Sequence, residues 1–237
     1  MRLGKFRIVD LTQPIFNEMA CWPGQLKNRI WTYNTHEETG RQYKMSFQTT
    51  AMLLNDHNGT HVDAPNHRDP KGKSIDQIPL ERFYTEAVCV DAREVKPDEY
   101  VTVEYIQAYL EKTGLTIKKG DTFLLCTGHY EKYTNARLEY VLEPFTGLDR
   151  RAAEWLADQG ISGFGTDAPA PDGWKSVSKG EFPADVLFNA ERGILVFENL
   201  CNLVELVGKR FIFIAPPLKI VGSTGSPVRA MAILEET

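Results

Sequence analysis

Three of the chain's five histidines, His57, His61 and His67, fall within DHNGTHVDAPNH at 56–67, with Asp56 and Asp63 among them. Imidazole nitrogens and carboxylate oxygens are metal ligands, and a mixed set of this kind suits zinc, manganese or iron better than calcium or magnesium. An ion held by few protein ligands keeps positions open, where it can activate water and polarise a carbonyl. Gly59 and Pro65 argue against a helix here, so the helical HExxH arrangement is excluded. In an extended chain, positions 57, 61, 63 and 67 share a parity and point to one face. His61 and Asp63 then stand ~7 Å apart, within reach of one ion. His57 and His61 would be ~13 Å apart, too far to share an ion whose bonds to nitrogen are ~2 Å long. The chain must bend between them, and Asn58-Gly59 is where it can, because glycine takes positive φ at little cost. His67, further along the same face, is a candidate proton carrier. Three loop histidines can also serve only a hydrogen-bonded turn, but the shared parity, the aspartate and the glycine hinge together favour a metal.

Other residues carry weaker signals. Trp22-Pro23-Gly24 either lines a pocket or forms a turn with a packed tryptophan. His129 follows an apolar run and reads as an exposed surface histidine more readily than as a substrate contact. Asp167 either braces a site or completes a turn. Asp172, Trp174 and Lys175 belong to a Pro/Gly-rich loop at 165–180, longer than a plain connection needs and able to cover a pocket.

Such residues need elements to hold them. Short β-branched or aromatic runs bounded by Gly, Pro or Asp predict strands at 45–53, 86–92, 121–128, 193–200, 210–217 and 228–235. Helices are expected from Thr102 as N-cap to Gly114, from Asp149 as N-cap to Gly160, and, shorter, over 183–193. The alternation makes the class α/β. The strand-richer first half favours a mixed sheet or barrel-like core with outer helices over a regular doubly wound fold. Without repeats or linker-like stretches, the 237 residues read as a single domain, 1–237. A net charge of −5 gives no reason to expect nucleic acid or an anionic membrane as partner. No apolar run approaches the ~20 residues of a membrane span. Four dispersed cysteines without a CxxC pair suit a reducing, cytoplasmic setting.

The segment HNGTHVDAPNH resembles the HxGTHxDxPxH motif of the cyclase family of metal-dependent hydrolases, with all seven fixed positions filled. DLTQPIFNEMACWPG, GTDAPAPD, FENLCNL and PPLKIVGSTGSPVRAMAI resemble further segments of that family, so the likeness runs along nearly the whole chain. The resemblance implies a swivelling β/β/α-type fold, a homodimer or homotetramer, and hydrolysis of a small cyclic or aryl amide by metal-activated water. By matching position it makes His57, His61, Asp63 and Glu198 metal ligands and His67 the acid/base residue, and it places Trp22 beside the substrate. One departure stands out. The family's two-metal members carry a histidine about a dozen residues before the glutamate, whereas this chain reads FPADVLFNAERGILVFENL, with Asp185 near that place and one residue more in between. One extra residue rotates a helix by ~100°, so Asp185 is expected to point away, as a solvated helix-terminal acid. One Mn or Zn ion per chain is therefore expected rather than two. The rival readings are a cyclase or dehydratase working through an enolate, and a non-catalytic metal-binding protein. A site closed by four protein ligands would favour the latter, an open pocket an enzyme.

Overall fold

The computed structural model describes residues 5–133 and 139–235. Its strands, in chain order, are β1 (Phe6–Asp10), β2 (Arg29–Asn34), β3 (Thr49–Leu53), β4 (His61–Asp63), β5 (Tyr84–Asp91), β6 (Tyr100–Val101), β7 (Thr122–Cys126), β8 (Gly147–Leu148), β9 (Gly163–Thr166), β10 (Leu195–Glu198), β11 (Arg210–Ile214), β12 (Gly225–Pro227) and β13 (Met231–Glu235). Nine of them form one sheet in the order β1-β13-β11-β5-β7-β9-β10-β4-β12. The centre, β5 through β10, is parallel, and both flanks are antiparallel. The expected α/β class with a mixed sheet and outer helices is what forms.

The sheet has a core on each face, and strand alternation sorts side chains between them. Along β7, Phe123 and Leu125 join one cluster while Leu124 and Cys126 join the other. The first cluster is covered by the helices Val103–Thr113 and Arg150–Asp158, which bury Ile106, Ala152, Ala153 and Leu156. Their expected caps are in place: Thr102 accepts from the Tyr105 amide and Asp149 from the Ala152 amide. Such caps satisfy amides that have no partner within the helix. The helical region expected at 183–193 forms with a change of pitch. Pro183–Val186 is α-helical, and Leu187–Glu191 is a π turn closed by the Arg192 amide on the Leu187 carbonyl at 3.0 Å. A π turn holds one more residue than an α turn. The extra residue is absorbed there and does not swing Asp185 away.

Other expectations need correction. Only 49–53 of the run at 45–53 is a strand, and it pairs with β2, which its sequence did not announce, in a hairpin separate from the main sheet. Of the extended chain expected over 57–67 only His61–Asp63 is a strand, β4, and strands β9 and β12 went unforeseen because GFGT and GSP are too short or too glycine-rich to carry an alternation signal. No helix among the described residues is long and apolar enough to cross a membrane.

Candidate active site

Strand β4 is the seat of the site. It lies between β10 and β12, with His61 opposite Glu198 and Asp63 opposite Val196 and Gly225. His61 and Asp63 share a face by parity, and Glu198, directly across the ladder from His61, shares it by register. Side-chain reach does the rest: His61 Nε2 stands 3.2 Å from Asp63 Oδ1 and 3.5 Å from Glu198 Oε2.

His57 is not in the strand. It sits on the turn before it, and Gly59 at φ +68° supplies the bend. The bend brings the His57 and His61 rings to 5.2 Å between centroids and His57 Nδ1 to 2.7 Å from Asp63 Oδ1. Gly225 on β12 makes room for it, since a Cβ there would lie 2.8 Å from His57 Cε1. His67 departs from the strand at the other end. Pro65–His67 is a 3-10 turn, and the His67 ring lies over that of His57 at 4.1 Å. The shared parity of positions 57, 61, 63 and 67 therefore holds only for 61 and 63, and turns carry the two outer histidines to the same place.

The hydrogen-bond network assigns the ring tautomers. His61 Nδ1 is 2.8 Å from the Gly59 carbonyl, which can only accept, so Nδ1 carries the hydrogen and Nε2 turns its lone pair to Asp63 and Glu198. The Thr224 hydroxyl donates to Asp56 Oδ2 at 2.9 Å and so accepts from His57 Nε2 at 2.8 Å. His57 Nδ1 then turns its lone pair to Asp63. Two nitrogen lone pairs thus converge on carboxylates, an arrangement resolved by an added proton or by a cation.

The charges tell the same story. Burial pushes the Glu198 carboxyl well above its usual range, and the Asp63 and Asp185 charges push it further, against the pull of Arg68. Burial also acts to raise Asp63, but the His57 and His61 contacts outweigh it and hold Asp63 low. For His57, burial disfavours the charged ring, yet Asp63, Asp56 and Asp185 prevail and raise its pKa. His67 goes the other way. Burial, with His57, Arg68 and His61, lowers it to about 4 against Asp63, leaving a neutral ring at pH 7.

These groups open on a cavity of about 210 Å³ that is also lined by Trp22, Gln25, Arg68, Tyr140, Phe182 and Asn199. Trp22 meets Phe182 edge-on, with ring centroids 6.0 Å apart. Trp22 therefore lines the pocket, and only Pro169 and Ala170 of the 165–180 loop do so.

Several residues fall elsewhere than expected. Asp185 is not a solvated acid: it is 1% exposed and accepts from Arg68 Nε at 2.6 Å. Asp172 does not cover the pocket. It is buried and caps the helix that carries Asp185, accepting from the Ala184 and Asp185 amides at 2.6 and 3.1 Å. Trp174 packs edge-on against Phe145, and Lys175 lies over Tyr100. His129 is buried rather than exposed, with Nε2 donating to the Tyr140 carbonyl at 2.6 Å. Asp167, fully buried, accepts from Thr127 N, Thr127 Oγ1 and Gly128 N, so it braces the loop after β7. Burial raises it to about 6. Arg68 and Thr224 went unnoticed in the sequence. An arginine immediately after the last motif histidine was the available signal for the first, and nothing local marked the second.

A family model described as "Putative cyclase" matches residues 9–173. The kynurenine formamidase of Salinibacter ruber is 30% identical over 231 residues, covering 94% of this chain and 96% of its own. The isatin hydrolase of Roseibium aggregatum is 29% identical over 196 residues, covering 77% and 73%. Among solved structures, isatin hydrolase A from Ralstonia solanacearum superposes with a TM-score of 0.84 at 28% identity, covering 97% of this chain and 92% of that one.

Proposed function

The chain belongs to the cyclase family, and from that premise we propose that it is a metal-dependent amidohydrolase acting on a small cyclic or aryl amide. The observation that carries this reading is the convergence of His57, His61, Asp63, His67 and Glu198 on one cavity. The relatives support the reaction class, since their names describe cleavage of an arylformamide and of a cyclic amide.

The donor set fits a divalent transition metal. His57 Nδ1, His61 Nε2, Asp63 and Glu198 offer two imidazoles and two carboxylates, a combination suited to manganese or zinc. The surroundings favour a single ion. Arg68 pairs with Asp185, which leaves Asp63 and Glu198 beside the histidine nitrogens to balance one divalent cation. A second divalent ion would have to draw on acids already engaged elsewhere, Asp185 on Arg68 and Asp172 on the Ala184 and Asp185 amides. Four protein donors alone would also suit a structural ion; the cavity they open on, with His67 and Trp22 on its wall, argues for a reacting centre.

When bound, the ion would polarise the amide carbonyl and make water a better nucleophile. The chain's own residues do the rest. His67, neutral at pH 7, takes a proton from the attacking water and passes it to the nitrogen as the C–N bond breaks. Trp22 and Phe182 hold the ring of the substrate and exclude bulk water. The partner is then a small molecule, in a cytoplasmic homodimer or homotetramer.

The test uses protein stripped of metal by chelation and reloaded with manganese or zinc. Formanilide, an arylformamide, and isatin, a cyclic amide, are offered to both forms. Hydrolysis of at least one by the loaded form, abolished by chelation, is expected. A loaded protein that cleaves neither, nor related N-acyl anilines, would remove the amidohydrolase reading.

A further inference from the structure

Arg68 is a permanent cation on the cavity wall, and the described lining contains no lysine and no other arginine. Its guanidinium is pinned on one side. Nε donates to Asp185 Oδ2 at 2.6 Å, and Nη2 lies 2.5 Å from the same oxygen in an ion pair. Asp185 is held in turn by its helix, whose first amides are tied down by Asp172. The guanidinium carbon lies over the Phe182 ring, 4.8 Å from its centroid. No described protein group accepts from Nη1. The side chain is 29% exposed, and its residue opens on the cavity beside His67 and Glu198.

An arginine fixed by a buried carboxylate and an aromatic face, with one nitrogen unspent, is preorganised to receive a planar anion. Guanidinium matches a carboxylate in shape, and ordering costs little when the side chain is already immobile. We propose that Arg68 is the carboxylate-binding residue of this pocket, holding the carboxylate that ring-opening of a cyclic amide leaves on the same molecule as the aromatic ring, with that ring beside Trp22 and Phe182. This rests on the amide-hydrolase reading of the same cavity. It adds a specificity: aromatic ligands ending in a carboxylate bind more tightly than the matching neutral amides, and Arg68 makes the difference. Asp185 is a positioning residue, acting through Arg68.

Binding is measured by calorimetry on the metal-loaded protein, with benzoate as the anionic probe and benzamide as the neutral one. Turnover is not needed, so a failure of the amidohydrolase reading leaves this measurement intact. Replacing Arg68→Met is expected to weaken benzoate ~10-fold or more, as loss of a charge-assisted pair does, while benzamide changes less than ~2-fold. Because Arg68→Met strands the buried Asp185, the double variant Arg68→Met/Asp185→Asn, which leaves no charge unpaired, is measured in parallel. Equal losses for both probes, or unchanged benzoate binding in a folded variant, would overturn the proposal. Asp185→Asn alone should weaken benzoate by less than Arg68→Met does, and an equal or larger effect would assign the selectivity to Asp185 instead.

Discussion

Thr224 stands 167 positions from His57 in the chain, yet its hydroxyl accepts from His57 Nε2 at 2.8 Å while donating to Asp56. That contact decides which imidazole nitrogen faces Asp63. Groups that orient a ligating histidine typically contribute 10–100-fold to metal affinity. Thr224→Val keeps the shape and removes the hydroxyl. It should weaken manganese or zinc binding by about 10-fold or more, read by competition with a chromogenic chelator. Unaltered affinity would mean that the tautomer of His57 does not matter.

His61 sits between two carboxylates on a strand buried on both sides. His61→Ala should abolish stoichiometric metal while leaving far-ultraviolet circular dichroism unchanged, because the His61 side chain belongs to neither apolar core. Full metal content in this variant would exclude His61 as a ligand.

His67 is pushed toward neutrality while its neighbour His57 is pushed the other way. His67→Ala should retain metal and lose turnover by ~10²-fold or more, the usual scale for a group that moves protons. Equal rates at saturating amide would take His67 out of the reaction.

One ion per chain is the expectation if Arg68 takes the charge of Asp185. Anomalous diffraction at the metal edge should show a single fully occupied peak near His57, His61 and Asp63. Two full peaks about 3–4 Å apart, the spacing of two-metal hydrolases, would refute the count.

His129 gives a pH signature remote from the metal. Burial, aided by Lys132 and opposed by its bond to the Tyr140 carbonyl, lowers it to about 4 from an ordinary 6.5. A histidine kept neutral in the folded state contributes fully above its unfolded pKa. Its contribution is lost as pH falls from 6.5 toward 4, because the unfolded chain takes up the proton first. The loss is on the order of 3 kcal/mol by pH 4. Urea midpoints for His129→Gln should fall less steeply across this window than those of the parent, and parallel curves would assign the acid sensitivity to other groups.

The short stretch at 56–67 determined much by itself. Ligand atom types, the common face of His61 and Asp63, and a bend at Gly59 all follow from neighbours within a few residues, whose geometry is set by backbone sterics. The same is true of the helix caps at Thr102 and Asp149, where a side chain meets an amide three positions on. Tertiary structure alone decided the rest. Glu198 faces His61 because β10 lies beside β4 in one register, and a slip by one residue would turn it to the opposite face. Thr224 reaches His57 because β12 lies on the other edge of β4. Asp185 pairs with Arg68 because a π turn took up the extra residue that sequence counting turned into a rotation. Local rules fix what a side chain can do and which way its own strand presents it. Which groups meet depends on strand order and burial, and those are settled by how the whole chain packs its two cores.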